Sequence, residues 1–140
     1  MAKKRNPINE SGEAGEDRLE SFLVENGISY RQQVTSKKQI DFILNPNKKN
    51  PIYIDVTNQN GKGSVAEKVP HKVWKYFQKY GYDEVYILMG DYDLRKKYPL
   101  VVKHCDDVYK FKTHFVNFKE MTDIISNKAK KRMVTLDNFI

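Results

Sequence analysis

Ile40, Phe42 and Leu44 alternate with Asp41 and Ile43, and Ile52, Ile54 and Val56 alternate with Tyr53, Asp55 and Thr57. A period of two is the mark of a half-buried strand, so residues 39–44 and 52–59 are predicted as strands. Between them Asn45-Pro46-Asn47-Lys48-Lys49-Asn50-Pro51 is dense in turn residues, which predicts a hairpin. Pairing would put Ile40, Phe42, Leu44, Ile52, Ile54 and Val56 on one wall of a core. Asp41 and Asp55 would then converge on the opposite face, with Thr57 and Gln59 further along it.

The flanking segments change period. From Glu13 to Asn26, Leu19, Phe22 and Leu23 recur at helical spacing, and Gly27 stands where a helix end accepts a left-handed residue. Glu16, three residues before Leu19 and seven before Leu23, falls on the inward side of this helix's first turn; Glu20 and Glu25 fall on its flanks. Residues 28–35 read as a strand, and Ser36-Lys37-Lys38 as a basic turn. Ser64-Val65-Ala66-Glu67 has capping-box spacing and predicts a helix running to about Tyr80, closed by Gly81, with a kink or restart at Pro70. Val65, Val69, Val73, Trp74 and Phe77 are its expected core residues, and Lys68, Lys72, Lys75 and Lys79 form one stripe. Residues 84–90 are the strongest buried-strand candidate. Beyond them, 91–97 reads as a charged connection that accommodates a short helix. Residues 100–104 and 108–118 look β-like, and 118–126 reads as a short closing helix.

Composition narrows the class. The 140 residues suit a single domain: a basic mobile arm over 1–12, an α/β domain over 13–127 and a basic segment over 128–140. Lys and Arg number 25 against 18 Asp and Glu, a net charge of +7, which favours a polyanionic partner. The lone cysteine, Cys105, excludes an internal disulfide framework and is expected in the core. The basic N-terminus carries no apolar segment, and no apolar run approaches the ~20 residues of a membrane span. The expectation is therefore a cytoplasmic or nucleic-acid-associated intracellular protein with no membrane partner. His71, His104 and His114 are scattered without zinc spacing.

Asp41, Asp55 and the Val56 carbonyl make an all-oxygen donor set, the kind that holds Mg²⁺ through one or two carboxylates, and Glu16 would hold a second ion or a metal-bound water. Phosphodiester hydrolysis needs an activated water and a charge clamp on phosphate, and such an ion supplies both.

The order of elements, with Gly15-Glu16-Asp17-Arg18-Leu19, Ile40-Asp41-Phe42-Ile43-Leu44 and Ile52-Tyr53-Ile54-Asp55-Val56-Thr57, resembles the PD-(D/E)XK nuclease superfamily over about residues 13–90. The resemblance is greatest to its small phage-type, junction-resolving members. Asp-x-Thr-x-Gln followed by Gly63-Ser64-Val65-Ala66-Glu67-Lys68 also looks like restriction-type members. The resemblance implies a restriction-endonuclease-like mixed central sheet flanked by helices, and a Mg²⁺-dependent endodeoxyribonuclease in which Mn²⁺ can substitute. Glu16, Asp41 and Asp55 match the three acids. Ile40 replaces the motif proline, and Thr57 stands where the motif places a lysine that orients the attacking water and stabilises developing charge. Lys68 on the following helix is the expected substitute, with Lys62 in the loop as a weaker one and Gln59 on the same strand face.

Lys3, Lys4, Arg5, Lys37, Lys38, Lys62, Lys72 and Lys75 are the candidate nucleic-acid contacts. The implied partner is DNA, branched forms included. A domain this small favours structure-selective or nicking activity, and duplex cleavage would call for a homodimer. Two rivals share the fold: a catalytically silent nucleic-acid-binding module, and a sequence-specific restriction-type subunit.

Overall fold

The computed structural model describes residues 10–32, 40–46, 48–57, 65–90 and 92–137. Helix α1 (Glu10–Glu25) begins before the expected Glu13 and buries Leu19 and Leu23, one turn apart. It ends as its sequence dictates. Gly27 adopts φ +64°, its amide donates to the Val24 carbonyl (3.2 Å), and Ile28 donates back to Leu23 (2.9 Å). These are the paired bonds of a Schellman motif, and Ile28 packs in the same core as Leu23.

Five strands follow: β1 (Tyr30–Gln32), β2 (Phe42–Leu44), β3 (Ile52–Thr57), β4 (Val85–Met89) and β5 (Thr113–Val116). They lie side by side in chain order in a mixed sheet. β1, β2 and β3 pair antiparallel, whereas β3, β4 and β5 run parallel. The expected hairpin is present, with Phe42 opposite Ile54 and Leu44 opposite Ile52. All five residues of β4 are buried, as its unbroken apolar run requires of a strand covered on both faces.

The parallel half needs crossovers. The first is α2 (Val65–Trp74), continued by a π-helical turn over Lys75–Lys79; the second combines α3 (Leu94–Lys97) and α4 (Pro99–Val108). A last helix, α5 (Phe118–Asp137), runs past Ser126, where the sequence predicts its end, and through the boundary drawn at residue 128. Among the described residues no helix is long and apolar enough to cross a membrane.

The layers hold two cores. On one face of the sheet Leu19 and Leu23 of α1 and Met121 and Ile125 of α5 cover Phe42, Leu44, Ile52, Ile54, Tyr86 and Leu88. On the other, Val69, Val73 and Tyr76 from the first crossover and Cys105 of α4 cover Val85, Ile87, Met89 and Phe115. Cys105 is buried as expected, and burial pushes its thiol up to about 11.

Several expectations are corrected. Ile40 does not share the wall of Phe42 and Leu44. It precedes β2, where the strand alternation no longer applies, and enters the opposite core. Pro70 does not interrupt α2; the departure from α-helical bonding comes at Lys75, where the Tyr80 amide reaches back five residues (2.8 Å). Trp74 is 47% exposed rather than in the core, and Phe77 is half-buried against Tyr109.

Residues 100–104 are helical, not extended. Pro99 occupies the start of α4, and Tyr98, Val101, Val102, Cys105 and Tyr109 face the second core at helical spacing. Of residues 108–118 only 113–116 form a strand; before it the chain turns through Lys110 and Phe111, both at positive φ.

Candidate active site

The site forms where β2 stops short of its partner. β2 ends its ladder at Phe42, and beyond it the Val56 amide of β3 donates to the Asp41 carboxylate (2.7 Å). Asp41 is thereby fixed beside β3 while itself only 5% exposed. Alternation in β3 puts Tyr53, Asp55 and Thr57 on the face covered by α2. Val56 points to the opposite face, toward α1. There a side chain at Gly15 would place its Cβ 3.2 Å from Val56 Cγ1, so the missing side chain lets the first turns of α1 approach β3. That approach brings Glu16 to the cleft.

Glu16, Ile40, Asp41, Asp55, Val56, Lys72, Lys75, Tyr76 and Tyr80 line a cleft of about 380 Å³. Lys72, Tyr76 and Tyr80 follow at four-residue steps, which puts them on one side of the helix that covers β3. Lys72 Nζ donates to Asp55 Oδ2 and to Thr57 Oγ1, each at 3.2 Å. Thr57 Oγ1 in turn donates to Asp55 Oδ2, and the Tyr76 hydroxyl donates to Asp55 Oδ1 (2.6 Å). Asp55 and Thr57 are each 3% exposed.

Burial alone would push the Asp55 carboxyl up. The Lys72 ammonium and the hydrogen bonds from Thr57, Tyr76 and Lys72 outweigh it and hold the group below the ordinary carboxylate range. Tyr76 moves the other way: burial, and then the adjacent Asp55 charge, raise its phenol far above the ordinary value. The site therefore holds an ionised, fully hydrogen-bonded acid beside a lysine and a protonated tyrosine.

Glu16, Asp41, Asp55 and Val56 thus meet in one cleft, and Thr57 joins them through its hydroxyl. Lys68 does not: it is exposed and absent from the cleft lining, and the ammonium beside Thr57 belongs to Lys72, one turn later. Lys75, expected only as a nucleic-acid contact, also lines the cleft. Lys3, Lys4, Arg5, Lys37, Lys38, Gln59 and Lys62 lie outside the described residues. Tyr76 was legible only indirectly, as an aromatic with a polar tip one turn beyond Lys72.

The donor set suits a hard cation. Three carboxylates, Glu16, Asp41 and Asp55, line the cleft with the phenols of Tyr76 and Tyr80, and among the described residues no His or Cys does. Among the described residues no three His, Cys, Asp or Glu side chains form a preassembled cage. Mg²⁺ ordinarily takes one or two carboxylates and completes its shell with water and substrate phosphate, so the arrangement fits that ion. Compared with known proteins, the chain matches no family model, no curated protein and no solved structure.

Proposed function

We propose that this chain is a Mg²⁺-dependent DNA endonuclease on a restriction-endonuclease-like sheet, and that Lys72 supplies the cation missing from β3 at Thr57. The observation that carries this reading is the position of Lys72 Nζ, 3.2 Å from both Asp55 Oδ2 and Thr57 Oγ1. A lysine four residues further along α2 than the one expected meets the same chemical need.

Asp41 and Asp55 would hold the ion, with the Val56 carbonyl and Glu16 as further oxygen donors. Bound there, Mg²⁺ or Mn²⁺ supplies a water acidified toward hydroxide and neutralises charge on the scissile phosphate. The chain's own groups do the rest. Asp55 is kept ionised by Lys72, Thr57 and Tyr76. The Lys72 ammonium stands ready for charge developing on phosphate, and Lys75 at the cleft wall holds the backbone of the nucleic acid. The +7 net charge steers a polyanion to this surface, and cleavage of both duplex strands would use a homodimer.

A second reading has one observation in its favour. Asp55 already accepts from three protein donors, so the same geometry also suits a silent nucleic-acid-binding module. The two separate in an assay with plain duplex, a flap and a four-way junction, each with Mg²⁺ or Mn²⁺. The endonuclease reading expects cleavage that falls at least about 100-fold in Asp41→Ala. Binding without cleavage in either metal leaves the silent module, and cleavage that survives Asp41→Ala removes the site.

A further inference from the structure

We infer that Trp74, backed by His71, is a stacking platform for an unpaired nucleic-acid base, placed on the same helix that lines the cleft. The inference rests on the nucleic-acid reading above and deepens it by naming the substrate class: strands with unpaired bases beside the cleaved position. Trp74 leaves 47% of its surface in water although it sits in the middle of a helix–sheet crossover whose neighbouring positions, Val73 and Tyr76, are buried. The His71 ring lies nearly parallel to the indole, 10° between planes and 6.0 Å between centroids, which restricts the indole from one side.

The surroundings are cationic. His71 lies three residues from Lys68 and four from Lys75, neighbours on one helix surface, so the aromatic pair borders the lysine stripe that leads into the cleft. Lys72 turns into the cleft and Glu67 shares the Trp74 side of the helix, so positive charge reaches the platform from Lys68 and Lys75 by way of His71. An exposed indole joined through a histidine to lysines is a combination that binds single strands: phosphate is held by charge, while the π-face accepts any base. A base stacked inside an intact duplex does not offer its face, so the platform selects frayed, flapped or branched DNA over blunt duplex.

The chain has a single tryptophan, so its intrinsic fluorescence reports on this ring alone. The test titrates the full chain in EDTA with oligothymidylate and, separately, with blunt duplex of equal length. The expected result is strong quenching by the single strand and little by the duplex. Trp74→Ala should weaken binding of a fluorescently labelled oligothymidylate by about 10-fold or more. Trp74→Phe, which keeps a ring, should retain most of the affinity, and circular dichroism confirms that each variant is folded.

Equal quenching by both ligands, no quenching, or unchanged affinity in a folded Trp74→Ala overturns the platform. Because the titration needs no metal, its outcome is separate from cleavage. Quenching by a chain that never cuts DNA keeps the platform and removes the endonuclease, whereas cutting without quenching does the reverse.

Discussion

Lys72 and Arg95 are nearly equally exposed, 37% and 34% of the side chain, and both pair with carboxylates, yet the two clusters differ in kind. Arg95 bridges Asp93 of the α3 cap (3.1 Å) and Glu120 of α5 (3.0 Å), acids exposed by 26% and 42%, and also donates to the Phe115 carbonyl of β5 (3.3 Å). It fastens α3, β5 and α5 together with both carboxylates still touching water. Lys72 meets an acid whose side chain is only 4% exposed, so that carboxylate's charge rests mainly on its protein donors. The lesson concerns the partner rather than the cation: a wet acid gives a clasp, a dry one gives a group whose charge depends on its neighbours.

Removing the cations is the sharpest way to break this comparison. Lys72→Met should lower DNA cleavage by about 100-fold and reduce unfolding free energy by roughly 1–3 kcal/mol, since Asp55 loses a charged donor but keeps Thr57 and Tyr76. Lys68→Met should leave stability near wild type and lower cleavage only a few-fold, through a lost phosphate contact; if the two variants behave alike, the assignment to Lys72 is wrong. Single-turnover cleavage and urea titration supply the measurements.

Acid provides a second lever. Asp55 titrates lower in the folded chain than an unfolded carboxylate at ~3.9, so its stabilisation is present above that value and is lost as pH falls through the folded one. The urea midpoint should therefore drop as pH falls below about 4, and the drop should be shallower in Lys72→Met. Equal slopes in wild type and variant would mean that Lys72 does not set the Asp55 charge.

The smallest effect is expected at the clasp. Arg95→Met should cost no more than about 1 kcal/mol, shrink further in high salt, and leave cleavage untouched. A change in cleavage would erase the distinction between the two clusters.

How much of this was legible in the chain depends on whether local pattern or tertiary depth decides. The hairpin, β4 and the glycine end of α1 follow from periodicity and turn chemistry, which are local; the meeting of Glu16 and Asp41 with Asp55 also needs the Gly15 approach to Val56 and the Val56 amide, contacts distant in sequence. The strand-like look of residues 100–104 came from adjacent valines, Val101 and Val102; the helical spacing of Tyr98, Val102, Cys105 and Tyr109 was the competing signal, and packing on the second core decided in its favour. Lys68 and Lys72 lie on one helix side at equal claim. Spacing gives direction around a helix but not which turn lies over Asp55, and that depended on α2 continuing through Pro70. The exposure of Trp74 was hidden for the same reason, since hydrophobicity alone assigned it to the interior.

The π-helical turn at Lys75–Lys79 has a consequence for how this crossover tolerates change in length. A widened turn is one residue longer than the α-helical turn it replaces. Removing a residue there would restore ordinary winding downstream while leaving Val69, Lys72 and Val73 seated over β3. The crossover thus divides into an upstream portion that seats Lys72 over β3 and a downstream portion that carries Lys75, Tyr76 and Tyr80, where a change in length would reset the side chains of the cleft wall rather than the fold.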